Sequence, residues 1–141
     1  MSAEPLEIHI LADSTGETAA RIARAAITQF PSREFSIVRH RRITSPAALM
    51  RALEAVRDSA APAVVFFTLV SEESAELVKN YCRDADIPFA DLMTEAMHAL
   101  EKVTGLEADQ VAMRAVGVEA EYFVRMAAID FAVRMLSLIH I

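Results

Sequence analysis

The sequence predicts an α/β domain: an open parallel sheet of about four strands with flanking helices, flavodoxin-like or Rossmann-like, followed by a C-terminal helix. Three observations carry this expectation. Strand-like runs alternate four times with helix-like runs between Leu6 and Gly105, the β-α repeat of a parallel sheet. The run "AVVFFTLV", Ala63 to Val70, is apolar almost throughout, as a strand covered on both faces must be. Ser, Thr or Asp follows each predicted strand, and these residues start helices.

The first strand is read at Leu6 to Ala12. A helix from Gly16 to Phe30 follows, with Ala19, Ile22, Ala23, Ala26, Ile27 and Phe30 on one stripe and Pro31 ending it. "EFSIVRHRRI", Glu34 to Ile43, is the second strand. "TSPAALMRALEAVRDS" opens with a hydroxyl and a proline, a helix entry, and Leu49, Leu53 and Val56 form its inner stripe. The apolar Ala63–Val70 run takes a central place in the sheet. "SEESAELVKNYCRDAD" is a third helix capped by Ser71; Ser74 stands where a capping box needs Glu or Gln. Ala75, Val78, Tyr81 and Cys82 face inward. "IPFADLM" is a short strand whose Pro88 places it at an edge or delays its start. "TEAMHALEKVTG" is a helix stopped by Gly105.

The α/β domain is thus expected over residues 1–106. Residues 107–134 read as a connector and a last helix with Tyr122, Met126, Ile129 and Val133 in line. Residues 135–141, "MLSLIHI", read as an atypical, apolar tail, of the kind an interrupted chain has; if exposed, it favours self-association, a homodimer included.

With 54% hydrophobic residues in 141, the chain can build one real core. A net charge of −6 argues against a nucleic-acid partner. The N-terminus lacks a basic region and an apolar run, and the longest apolar stretch is too short to span a bilayer, so a cytoplasmic protein without membrane contact is expected. The single cysteine, Cys82, excludes an internal disulfide and reads as a buried small hydrophobe. His9, His40, His98 and His140 have no ligand-like spacing, so no metal site is expected, and His9 reads as a packed histidine. There is no Walker loop and no G-x-G-x-x-G.

Ligands of open parallel sheets bind beyond the carboxyl ends of the strands. There the sequence offers Asp13, Ser14, Thr15 and Thr18, then Thr44 and Ser45, then Thr68 and Ser71, then Asp91 and Thr94. Each later hydroxyl or acid is also what a helix cap requires. "DSTGET", Asp13 to Thr18, supports two readings. As an anion cradle, Gly16 lets a ligand approach a helix N-terminus and Thr15 and Thr18 donate to its oxygens, as in the flavodoxin phosphate loop, with Asp13 replacing that loop's first hydroxyl. As a capping box, Ser14 and Glu17 close the helix start. "RHRR", Arg39 to Arg42, reads as a solvated strand end.

"ILADSTGETAARIARAAITQFP" resembles the opening of the regulatory proteins of pyruvate, phosphate dikinase and phosphoenolpyruvate synthase. "FFTLV" at Phe66, "NYCRDADIPFADLM" at Asn80 and "EYFVRMAAIDFAV" at Glu121 follow in the same order, the last resembling the family's Y-F-x-R-[IM]-x-A-I-[ED]-F pattern. The resemblance covers Leu6 to about Arg134. It implies a bifunctional kinase–pyrophosphorylase that uses ADP to phosphorylate a threonine of the target dikinase or synthase, and inorganic phosphate to remove it as pyrophosphate. It implies that ADP and phosphate are substrates of the full-length proteins, with neither expected to stay bound to this chain. The family's P-loop-like stretch lies in a C-terminal half absent from this sequence, and "MLSLIHI" replaces the family's His-Asp-Asp-Gly turn. An N-terminal half that is inactive alone is therefore expected. Within it Asp13 is the candidate catalytic residue, Ser14, Thr15, Gly16 and Thr18 face the phosphate, and Thr68, Ser71 and Asp91 edge the cleft. A flavodoxin-like ligand-binding module and a docking or dimerisation domain are the alternatives.

Overall fold

The computed structural model describes residues 5–112. Four strands, β1 (Leu6–Ala12), β2 (Phe35–His40), β3 (Ala63–Thr68) and β4 (Phe89–Asp91), alternate with four helices, α1 (Glu17–Ile27), α2 (Pro46–Arg57), α3 (Glu72–Asp84) and α4 (Thr94–Thr104). The sheet is parallel throughout, in the order β2-β1-β3-β4. The expected α/β class is therefore the observed one. β3 is interior, and β4, which starts just after Pro88, is a three-residue edge strand. The expected last helix with Tyr122, Met126, Ile129 and Val133, and the tail, lie outside the described residues.

The sheet separates two apolar cores, because alternate residues of a strand point to opposite faces. On one face Leu11, Val65 and Phe67 pack with Leu49, Leu53 and Val56 of α2 and Ala75, Val78 and Cys82 of α3. On the other, Ile8, Ile10 and Ala12 meet Ala19, Ala20 and Ala23 of α1. The stripes expected for the second and third helices are those that pack. Cys82 is fully buried, and desolvation pushes its thiol up to about 11.

The first helix differs from expectation. It stops at Ile27 rather than Phe30, and Ile22 and Phe30 are exposed, at 40% and 58%. Its fully buried seat is made of the small Ala19, Ala20 and Ala23, with Ile27 packed only partly beside them, so a narrow stripe is covered. The second strand ends at His40, and Arg42 adopts a left-handed conformation at φ 55°. There the chain leaves the ladder, while the Arg42 and Ile43 amides still donate to the Ser14 and Ala12 carbonyls.

Candidate functional site

Strand order reverses between β1 and β3: the chain goes from β1 to β2 on one side, then crosses to β3 on the other. Such a switch point splays the following loops apart and leaves a crevice at the strands' carboxyl ends. A cavity of about 390 Å³ lies there, lined by Asp13, Thr44, Ser45, Ser71, Ser74 and Gln110 among others, over an apolar floor that includes Leu49 and Leu69.

Local sequence builds its walls. Ser45 caps α2, its Oγ accepting the Ala48 amide at 3.1 Å, with Pro46 in the first turn where no amide is needed. Ser71 caps α3, accepting the Ser74 amide at 3.2 Å. Both caps were legible in the sequence. Gln110 was not: its side-chain oxygen accepts the Glu72 amide at 2.9 Å, from a residue at φ 55° far along the chain. Each helix thus directs a positive dipole end at the cavity while most first-turn amides are already satisfied.

Asp13 stands at the base. It is 8% exposed, and its Oδ2 accepts the Val70 amide at 2.9 Å, tying the end of β1 to the end of β3. Desolvation raises its pKa above the ordinary carboxyl value, partly offset by that amide. Among the described residues no Lys or Arg lines the cavity; Asp13 and Glu73 are its ionisable groups. A buried acceptor between two helix N-termini, without a cation, suits a neutral hydroxyl better than a bare phosphate.

The other "DSTGET" residues lie outside this cavity. The capping box is not formed: Gly16, not Ser14, is the N-cap of α1, in a left-handed conformation at φ 79° with no side-chain cap bond. Glu17 instead pairs with Arg21, Arg24 and Arg39 at 3.2–3.3 Å. Arg39 is therefore engaged with α1 rather than simply solvated at a strand end. Thr15 Oγ1 accepts the Glu17 amide at 3.4 Å, and Thr15 and Thr18 are exposed. Of the expected cleft edge, Ser71 lines the cavity. Thr68 is buried at the end of β3 and does not line the cavity, and Asp91 holds the next turn: its Oδ1 accepts the Met93 and Thr94 amides, and Oδ2 meets Lys79 Nζ at 3.3 Å. Thr94, expected as a cap, follows the N-cap Met93.

Among the histidines, His9 is packed as expected, at 4% exposure. Its Nε2 lies 2.9 Å from Glu7 Oε1 and its Nδ1 2.9 Å from His40 Nε2, with the rings stacked. Ser59 Oγ donates to the same Glu7 oxygen. His98 meets Glu72 across helices, a neighbour that spacing alone did not reveal.

A parallel sheet of order 2-1-3-4 with a cavity at its switch point defines a flavodoxin-like α/β domain with one acid-based candidate site. The kinase/pyrophosphorylase family matches residues 8–135, and the chain belongs to that family. It is 45% identical over 137 residues to a protein of Cutibacterium acnes named as a pyruvate, phosphate dikinase regulatory protein, covering 95% of this chain and 47% of that one. Similarly named proteins of Citrifermentans bemidjiense and Listeria monocytogenes are 33% and 37% identical, covering 90% and 92% of this chain and 46% and 48% of theirs. The chain spans about half the length of the curated relatives it matches. Among the described residues, no helix is long and apolar enough to cross a membrane.

Proposed function

We propose that this chain is the N-terminal half of a regulator that phosphorylates a threonine of pyruvate, phosphate dikinase or phosphoenolpyruvate synthase with ADP. The same protein would remove the phosphate by phosphorolysis, releasing pyrophosphate. In this reading the chain supplies the wall that receives the threonine hydroxyl, and the relatives' second half supplies the nucleotide wall. The observation that carries it is Asp13: a buried carboxylate of raised pKa at the switch-point cavity, which no Lys or Arg lines among the described residues. Asp13 accepts the threonine proton as the oxygen attacks the transferred phosphoryl group, and returns it when inorganic phosphate takes that group back. The exposed Thr15 and Thr18, beside the half-buried Ser14 and the buried Gly16 turn, remain available to the phosphate side. Family membership supports the reaction class, and the relatives' names support the target.

The test uses the isolated chain and a full-length protein containing it. With ADP and dikinase, the isolated chain is expected to leave the threonine unmodified, whereas the full-length protein modifies it. Asp13→Asn in the full-length protein is expected to slow both directions about 100-fold or more. Thr15→Val with Thr18→Val is expected to raise the KM for phosphate. Modification by the isolated chain, or full activity of the Asp13 variant, would overturn the assignment.

A further inference from the structure

A second grouping lies at the N-terminus of α3. Glu72 from the first turn of α3, with His98 and Glu101 from α4, present ligand atoms that all lie within 4.8 Å of one another. His98 and Glu101 are three apart on one helix, a spacing that places them on one face. Glu72 comes from the neighbouring helix, 26 residues away from His98. We propose that these three side chains form a binding site for a borderline divalent cation of the zinc class, joining α4 to the start of α3. This inference is independent of the transfer reading above.

Three features of the geometry argue for it. His98 Nε2 and Glu72 Oε1 are 3.3 Å apart. A tetrahedral ion with bonds of about 2.0 Å separates adjacent ligands by about 3.3 Å. Glu101 is already oriented, since its Oε2 accepts the Ala108 amide at 2.8 Å, and an outer partner of that kind fixes a ligating carboxylate. The backbone of Glu72 is held in the same way, its amide donating to Gln110 Oε1 at 2.9 Å. A polar hollow bordered by Glu72, Glu101, Glu107 and Gln110 opens beside the two carboxylates, leaving room for a water or another oxygen in a fourth position. Two carboxylates and a neutral imidazole carry a formal charge of −2, which a divalent ion balances. The mixed nitrogen and oxygen set fits zinc, cobalt or nickel better than calcium or magnesium, which prefer oxygen alone.

Titration of the whole chain with Co²⁺, followed by visible absorption, tests the site, with Zn²⁺ as the competitor. One equivalent is expected to give the intense visible bands of a low-coordinate cobalt site, and zinc to abolish them. His98→Gln and Glu72→Gln should each weaken binding about 10-fold or more, with circular dichroism confirming that these surface variants fold. His140→Gln is expected to leave the affinity unchanged. No binding at millimolar metal would overturn the proposal. So would equal affinity in the His98 and Glu72 variants, which would mean an adventitious ion only.

Discussion

At Gly16 the backbone takes φ 79°, and a Cβ there would lie 3.3 Å from Ile10 Cγ2. This glycine is needed both for the turn and for the close seat of α1 on β1. Gly105 has φ 72° but open space around it. Gly105→Ala should therefore cost only the left-handed penalty, about 1 kcal/mol, and Gly16→Ala about 1–3 kcal/mol. Urea unfolding of the two variants checks this, and equal losses would remove the packing half of the explanation.

A second residue-scale effect concerns pH. Desolvation, aided by neighbouring His9, lowers the pKa of His40, while hydrogen bonds from Ser59 and His9 lower that of Glu7. For His40 the unfolded chain binds the proton more readily, so stability falls as pH drops from about 6.5 towards the lower folded value. The Glu7 contribution is present above its ordinary pKa and is lost as pH falls through the folded one, so both effects act in the same direction. Double protonation would also set two N–H groups against each other at the 2.9 Å His9–His40 contact. Thermal unfolding between pH 7 and pH 5 should show a fall that His40→Asn flattens. An unchanged slope in that variant would remove His40 from the account.

At the scale of elements, helix starts do double duty. Ser45 and Ser71 satisfy first-turn amides and also line the switch-point cavity. Replacing either by Ala should cost about 1 kcal/mol, measured by chemical denaturation, because each removes one bond to an otherwise orphaned amide. These caps were legible because a hydroxyl before a helical stripe has a local meaning. At the start of α1 one of the two open readings, the capping box, does not hold, for a related reason. "STGE" fits a capping box locally, but Glu17 is drawn away by Arg21, Arg24 and Arg39, and Gly16 takes the cap position. Arg39 comes from β2, so the competing attraction is invisible until the strands pair. Likewise, the stripe from Ala19 to Phe30 is shorter than its spacing suggests, because Ala19, Ala20 and Ala23 fill the seat, Ile27 packs only partly, and Ile22 and Phe30 stay exposed.

For the molecule as a whole, the alternation of apolar runs determined the class of fold. Period-two and period-3.6 patterns are local, and burial on both faces leaves a strand as apolar as Ala63–Val70. The same patterns placed β3 inside, gave the fourth strand an edge place or a late start from Pro88, and set Asp13 and Ser71 beyond the carboxyl ends of their strands. What tertiary structure alone decided is which of those chemical groups meet. Strand order puts the end of β1 beside the end of β3, so Asp13 holds the Val70 amide and joins Ser45 and Ser71 at one cavity, with Gln110 arriving from beyond α4. It also brings His98 and Glu101 to Glu72. The sequence by itself determined the elements and their caps, because those depend on neighbours a few residues away. The site depended on pairings across dozens of residues, which no local pattern encodes.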